Sequence, residues 1–189
     1  DLRLYDHEPL HHALNSSKKT LLLYLFEDFL LTDPHYEKRH WKFVKDSLSD
    51  MNQQLKNIQT KVLTVQNDMY QVVNVLEKQY SVTHIFSYQE TGLKITYDRD
   101  KEIGKMCKEK KINWSESVNN GIQRGRRDRK NWRKDWESFI SNKEKLPDKD
   151  FKNQKKTFLK VRSIDLHGYT LEHANKSIED FINKSYEEK

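Results

Sequence analysis

The chain has 189 residues, of which 34% are hydrophobic and 34% are charged, and its formal net charge is +6. This length fits one domain, or one domain and a small piece of another. The apolar residues cluster into separated runs, which favours a folded protein over a disordered one. Cys107 is the only cysteine, which excludes an internal disulfide. No apolar run approaches the roughly 18 residues of a membrane span, so we expect a soluble, cytoplasmic protein with no membrane partner.

Four apolar runs predict β-strands that alternate with helices along the chain. The opening residues predict an exposed turn and a helix that begins at Asp6 and has Pro9 in its first turn. The predicted strands are 20–26, 62–65, 82–86 and 112–114. The helices that follow the first three strands are predicted over 34–56, 68–80 and 98–110. Asp68 is the predicted N-cap of the second of these helices.

Strands that alternate with helices predict an α/β fold with a parallel sheet flanked by helices. In such sheets, ligands bind beyond the carboxyl ends of the strands. Here those ends carry Glu27 and Asp28, then Gln66 and Asn67, and then the turn 89–92. Their polarity is consistent with a ligand site, although polar loops are expected at this place in any case. The chain has no glycine-rich dinucleotide or phosphate-binding loop, which argues against a nucleotide site of that kind.

Seven basic residues and one acidic residue lie between residues 124 and 134, in a segment that we predict to be a basic helix. Such a charge distribution favours a partner that carries phosphates, and DNA is the candidate. A solvated helix face explains the same composition equally well. The candidate nucleic-acid-binding residues here are Arg124, Arg126, Arg127, Arg129 and Lys130.

The composition changes near residue 141. Residues 141–160 are rich in lysine, aspartate and asparagine and are predicted to form a polar linker. After it, 161–166 predicts a strand, and a helix follows from Thr170. One strand and one helix cannot bury a core alone, so we interpret residues 161–189 as a partial βα unit.

Three motifs in order resemble the photolyase/cryptochrome family. Residues 1–10, DLRLYDHEPL, resemble its DLRxxDxxxL motif, which follows the first strand of the family fold. Residues 87–92 and the Arg-Asp pair within 97–100 resemble its SxQETG turn and the helix start after it. Residues 120–136 resemble its NGVxRGxxxRxxW segment. The resemblance covers residues 1–140.

The resemblance implies the amino-terminal antenna domain of the family, a Rossmann-like sheet that can hold a folate, a deazaflavin or a flavin chromophore. Family members bind FAD and repair pyrimidine dimers with a larger helical domain, which we expect this chain to lack, and we therefore assign no catalytic residue. Because the chain begins on the motif itself, we also expect the sheet to lack its first strand. The tail strand, residues 162–166, is a candidate to fill that place.

Candidate chromophore contacts follow from the resemblance, residue by residue. Arg3 matches a motif arginine that faces the domain interface in the family. Glu90 is the strongest candidate, because a carboxylate beyond a strand end can accept hydrogen bonds from a pterin or a ribityl group; a turn or capping role for Glu90 is equally open. Arg99 and Asp100 are also interpreted as a structural pair at a helix start. The candidate cofactor-binding residues are Arg3, Glu27, Gln89, Glu90 and Arg99.

A second resemblance lies in the tail. Residues 164–174 resemble the LDLHGxTxxEA opening of the small MutS-related (Smr) domain, whose members bind nucleic acid and often cut it. Asp165 and His167 would be the motif's acid and histidine. The glycine-rich second signature of that family is not in the chain, so we expect no nuclease activity, and a chance match remains open. No histidine spacing indicates a metal site.

Two interpretations of function result. The first is a photolyase/cryptochrome-related protein of DNA repair or light sensing, reduced to its chromophore-binding antenna domain. The alternative is a nucleic-acid-binding protein that uses the basic helix 124–134 and the Smr-like tail.

Overall fold

A computed structural model describes residues 1–16, 18–142 and Phe158. Most of the predicted linker, the Smr-like segment and the candidates Asp165 and His167 lie outside the described residues. The described helices are α1 (Glu8–Asn15), α2 (Asp28–Leu31), α3 (Lys38–Leu55), α4 (Met69–Tyr80), α5 (Lys94–Glu109) and α6 (Trp132–Asn142). The described strands are β1 (Leu23–Phe26), β2 (Leu63–Gln66), β3 (His84–Tyr88) and β4 (Asn113–Ser117). A short 3-10 helix, Lys56–Ile58, follows α3.

The described chain divides into two compact units. The first, here the β1–β2 unit, comprises Leu2–Leu4, 14–82 and Phe158. The second, here the β3–β4 unit, comprises Asp1, Tyr5–Ala13 and 83–142. Each unit contains one two-stranded parallel sheet with helices against it, which confirms the predicted α/β class.

In the β1–β2 unit, the two strands pair in parallel from Leu23 opposite Leu63 to Phe26 opposite Gln66. The ring of Phe26 lies 5.8 Å from the ring of Trp41 in α3, so α3 packs beside the end of β1. The helix predicted over 34–56 is confirmed over most of its length, since α3 covers Lys38–Leu55. β1 is shorter than the predicted strand 20–26.

Helix α4 covers the sheet of the β1–β2 unit with apolar side chains at helical spacing. Leu63 and Val65 of β2 form a buried cluster with Val72 and Leu76 of α4. Burying each such side chain stabilises the fold by about 1.5–3 kcal/mol. The Asp68 carboxylate accepts a hydrogen bond from the backbone N–H three residues later, which confirms the predicted N-cap.

In the β3–β4 unit, the strands pair in parallel from His84 opposite Asn113 to Tyr88 opposite Ser117. Helix α5 connects them and buries a face that includes Cys107. Cys107 is buried, as predicted, and its burial raises the pKa of the thiol. No helix among residues 1–16 and 18–142 is long and apolar enough to cross a membrane.

The predicted start of the first helix is wrong by two residues. Asp6 has a φ of +47°, in the left-handed region, and cannot begin a helix. The helix begins at Glu8, and the ring of His7 takes the capping role, since its Nδ1 accepts a hydrogen bond from Leu10 N at 3.2 Å. Pro9 does lie in the first turn, as predicted.

Three predicted boundaries after residue 82 are also wrong. β3 runs through Ser87 and Tyr88, so the polar turn begins at Gln89. β4 is longer than the predicted 112–114. Helix α5 begins at Lys94, where an i,i+4 ion pair with Asp98 supports its first turn. Consequently the predicted Arg-Asp pair lies inside the helix and not at its start.

The predicted basic helix 124–134 is not helical before Trp132. Gly125 and Asn131 have a positive φ, of +74° and +59°, and a right-handed helix cannot pass through such residues. Helix α6 therefore begins only at Trp132. The basic residues before it lie in turns.

Candidate functional site

The loop 89–92, at the carboxyl end of β3, is held by hydrogen bonds on both sides. Gln89 N donates to Ser117 O at 2.9 Å, which continues the strand pairing by one residue. The Glu90 carboxylate turns back on its own loop, where Oε1 accepts from Gly92 N at 2.6 Å. A Cβ at Gly92 would stand 2.9 Å from that oxygen, so a larger residue here would displace the end of the Glu90 side chain. Glu90 thus has the turn role that the sequence left open.

Arg124 fixes this loop to the strand and the helix behind it. Its Nε donates to Glu90 O at 2.7 Å, its Nη1 to Glu116 Oε2 at 3.0 Å, and its Nη2 to Asp100 Oδ2 at 3.0 Å. Nη1 also lies 2.8 Å from Glu116 Oε1, an ion-pair contact outside hydrogen-bonding geometry. The guanidinium has the fork shape that allows one side chain to join three groups. Arg124 is therefore part of the fold, whereas the sequence suggested a DNA contact.

Asp100 is the most buried member of this ionic cluster. Arg99 donates to its Oδ1 from Nε at 3.1 Å and from Nη2 at 2.8 Å, which confirms the predicted Arg99–Asp100 pair. Arg124 takes the other oxygen, so each carboxylate oxygen faces a cation. A buried carboxylate is tolerated only when it is paired and hydrogen-bonded in this way.

Glu116 faces opposing influences within the same cluster. Burial raises the pKa of its carboxyl, Arg124 beside it lowers the pKa, and the negative charge of Asp100 raises it; the net direction is upward. Two arginines and two carboxylates make the cluster formally neutral. Its function in the structure is to position the loop 89–92.

The segment 120–122 holds the same loop from a second side. Asn120 Nδ2 donates to Thr91 Oγ1 at 3.0 Å, and its Oδ1 accepts from Ile122 N at 3.1 Å. The indole of Trp136 in α6 donates to Asn120 O at 3.1 Å. A Cβ at Gly121 would stand 2.9 Å from the Phe139 ring, which explains the tight glycine turn. The segment 120–136 therefore holds the loop 89–92 through a turn that packs against α6.

The other predicted basic residues differ in what they contact. Arg126 donates to Asp128 O of its own turn at 2.9 Å and to Asp135 Oδ2 of α6 at 2.8 Å. Arg127, Arg129 and Lys130 are exposed. Only these three of the five candidates present their side chains to solvent.

Arg3 and Glu27 belong to the β1–β2 unit, apart from the other candidate contacts. Glu27 is 2% exposed, and its Oε1 accepts a hydrogen bond from Met69 N at 3.3 Å. A carboxylate at a helix N-terminus is stabilised by the unpaired N–H groups and the helix dipole. Glu27 therefore supports the start of α4. Arg3 is half-buried.

Gln89, Glu90 and Arg99 all belong to the β3–β4 unit, where Glu90 O bonds to Arg124 directly and Arg99 shares the Asp100 carboxylate with it. Sequence reasoning missed Asp100 and Glu116 as partners of Arg124, and Asn120 as an anchor. Glu116 lies two residues after Trp114 along β4, and that spacing would have placed the two side chains on the same face of the strand. Among residues 1–16 and 18–142, no group of three or more histidine, cysteine or acidic side chains could hold a metal ion.

Comparison with known sequences gives one family. The model of the DNA photolyase family matches residues 1–123. Cryptochrome DASH of Synechocystis sp. is 30% identical over 95 residues, which are 48% of this chain and 19% of that protein. Cryptochrome-2 of Gallus gallus is 24% identical over 108 residues, which are 57% of this chain and 18% of that protein. The chain spans less than a fifth of the length of these curated relatives.

Solved structures show the same fold. A photolyase from Sulfolobus tokodaii, described with two FAD molecules, has a TM-score of 0.62 at 19% identity and covers 76% of this chain and 33% of its own. A Synechocystis cryptochrome has a TM-score of 0.58 at 23% identity and covers 65% of this chain and 26% of its own. With the family model matching well over half of its residues, the chain belongs to the DNA photolyase family.

Proposed function

We propose that residues 1–140 serve as the antenna domain of a photolyase/cryptochrome-type protein of DNA repair or light sensing. In that role they bind a light-harvesting chromophore. A flavin is the first choice, because the Sulfolobus tokodaii relative is described with two FAD molecules and a novel light-harvesting cofactor. A folate or a deazaflavin is the alternative. Repair itself would need an FAD-binding helical domain, to which this chain contributes no assigned residue.

The observation that carries this proposal is the fixed loop at the carboxyl end of β3. Three consecutive residues of the loop, Gln89, Glu90 and Thr91, are each held by a partner far along the chain. Parallel α/β sheets bind ligands beyond this end of the strands. A loop whose backbone is fixed before the ligand arrives loses little conformational entropy on binding.

The residues of this loop fit the polar groups of a flavin or a pterin. The Glu90 carboxylate can accept from a ring imide or a ribityl hydroxyl, and its bond to Gly92 N uses one of its two oxygens. The Gln89 side-chain amide can both donate and accept. Arg124 acts as a positioning residue through Glu90 O. The chromophore, when bound, supplies light absorption.

Fluorescence titration of the full chain with FMN, FAD, a reduced folate and a deazaflavin tests the proposal. Glu90→Ala should weaken binding by about 10- to 100-fold, since a hydrogen bond to a charged group is worth roughly 1.5–3 kcal/mol. Glu109→Gln is the control, because Glu109 is an exposed carboxylate of α5 outside the loop. Folded protein that binds none of the four ligands would contradict the proposal.

The DNA-binding alternative has less support. Its basic helix does not form, and Arg124 and Arg126 are engaged in ion pairs within the fold. Three exposed residues, Arg127, Arg129 and Lys130, are left as described candidates. Charge reversal at Arg127 and Arg129 should weaken duplex DNA binding if this alternative is correct, most clearly at low salt. An unchanged affinity would eliminate it.

A further inference from the structure

An Asn-Gly pair, Asn120 and Gly121, lies in the segment that holds the loop 89–92, and it is the one such pair in the chain. Asn120 is exposed, so water reaches its side chain. An asparagine before a glycine deamidates more readily than one before any other residue, because glycine has no Cβ to keep its backbone nitrogen away from the asparagine side chain. The residue that holds the loop is therefore also a chemically labile one.

Both polar atoms of the Asn120 side chain are hydrogen-bonded within the β3–β4 unit. Its Nδ2 donates to Thr91 Oγ1 at 3.0 Å, and its Oδ1 accepts from Ile122 N at 3.1 Å. Deamidation removes Nδ2 from the side chain, so the bond to Thr91 is lost along the reaction. This bond therefore stabilises the unreacted amide, and its opening makes Asn120 more reactive.

The reaction is a cyclisation followed by a hydrolysis. The backbone nitrogen of Gly121 loses its proton to solvent and attacks Asn120 Cγ, an N–C bond forms, the Cγ–Nδ2 bond breaks, and Nδ2 takes up a proton and leaves as ammonia. Water then opens the succinimide ring. Opening at Cγ gives aspartate, whereas opening at the main-chain carbonyl carbon gives isoaspartate, in which the chain continues through Cγ. No atom is oxidised or reduced, so water is the one co-reactant.

The two products differ in how they affect the contact with the loop. Aspartate keeps the length of the main chain, and the Thr91 hydroxyl can turn to donate to its carboxylate. Isoaspartate adds a methylene to the main chain before Gly121, where a Cβ would already stand 2.9 Å from the Phe139 ring. It also takes out of the main chain the carbonyl that accepts from the Trp136 indole. The observed turn therefore does not accommodate isoaspartate.

We propose that Asn120 is a deamidation site, that its bond to Thr91 slows the reaction, and that isoaspartate formation permanently releases the loop 89–92. Local opening of the contact between the turn and the loop exposes the amide to attack. The covalent product then prevents the same contact from forming again. This modification does not require a bound chromophore.

The rate of deamidation in variants of Thr91 is the first test. The full chain is incubated at mildly alkaline pH, and peptide mass spectrometry measures the fraction of Asn120 converted to acid. Thr91→Val removes the hydroxyl and should react about 2- to 10-fold faster than Thr91→Ser, which keeps it. Asn131, which precedes Trp132, is the internal control and should stay unconverted. Equal rates in the two variants, or a folded wild type that reacts as fast as urea-unfolded protein, would overturn the proposal.

The consequence for the loop is the second test. Aged wild-type protein is separated by ion exchange, and its isoaspartate is measured by methylation with a protein isoaspartate methyltransferase. Hydrogen exchange of residues 89–92 should be at least about tenfold faster in the isoaspartate form than in unmodified protein. Asn120→Asp is the matched control and should stay within about twofold of the wild type, because it keeps the main-chain length. Unchanged exchange in the isoaspartate form would contradict the release of the loop.

Discussion

Replacing Arg124 by methionine tests the ionic cluster of the β3–β4 unit. The change keeps much of the aliphatic stem and removes the cation that joins Asp100, Glu116 and the carbonyl of Glu90. Two carboxylates would then stand close together, with Arg99 as the described cation partner of Asp100 alone. The loop 89–92 would lose one of its anchors as well.

The size of the effect follows from burial. The side chains of Arg124, Glu116 and Asp100 are 22%, 23% and 9% exposed. Breaking a buried ion pair by removing one partner costs about 3–5 kcal/mol of stability. Because these side chains are partly exposed, we expect a value at the lower end of that range. We expect a loss of about 3 kcal/mol, a large share of the roughly 5–15 kcal/mol that stabilises a typical domain.

The pH dependence of the variant gives a second readout. Burial already raises the pKa of Glu116 from 4.5, and Arg124→Met removes the charge that opposes this shift. A group whose folded pKa is raised contributes stability below its unfolded pKa and loses it as pH rises through the folded value. The deficit of the variant should therefore be smaller near pH 4 than near pH 7.

Urea unfolding, followed by far-ultraviolet circular dichroism, measures the free energy of unfolding. Arg127→Met is the matched control, because Arg127 is exposed, and it should change the stability by less than about 0.5 kcal/mol. If Arg124→Met lost no more stability than this control, the cluster would have no part in holding the fold.

Three further predictions concern single positions. Burial raises the pKa of Tyr24 to about 12 from 10.0, with the negative charges of Tyr36 and Glu27 adding to it. Ionisation above about pH 10 should therefore cost roughly 2–3 kcal/mol of stability; Tyr24→Phe should resist this loss, and an equal alkaline loss in both proteins would be evidence against the burial. Gly121→Ala should destabilise by about 1–3 kcal/mol through its close neighbour and its positive φ, and more than Gly125→Ala, which has a positive φ in open space. Equal losses of thermal stability in the two variants would be evidence against the close contact of Gly121 with Phe139. Asp68→Ala should cost about 1 kcal/mol in urea unfolding by removing the cap of α4, and no loss would question that capping bond.

The sequence predicted the elements that depend on local pattern. The apolar run before Glu27 predicted β1, and Asp68 before a helical apolar pattern predicted α4 at the correct start. The basic segment was misread because charge gives no information on backbone dihedrals, and Gly125 and Asn131 adopt a left-handed conformation that a helix cannot pass through.

The ionic cluster could not be predicted, for a different physical reason. Arg124 contacts Glu116, Asp100 and Glu90, which precede it by 8, 24 and 34 residues. Only the folded chain brings these residues together. From the sequence alone, an acidic residue nearer to Arg124 would have been an equally plausible partner. The motif around Gly121 indicated the right segment, but the ion pairs of its arginine depend on residues that only the fold brings close.

The proposed function depends most on a bound chromophore at the loop 89–92. The most direct measurement is the near-ultraviolet and visible absorbance of the full chain, purified without denaturation and dialysed after incubation with each candidate chromophore. We predict a retained absorption band that Glu90→Ala reduces and that Glu109→Gln leaves unchanged. A protein with α/β circular dichroism that retains no band with any candidate would contradict the account.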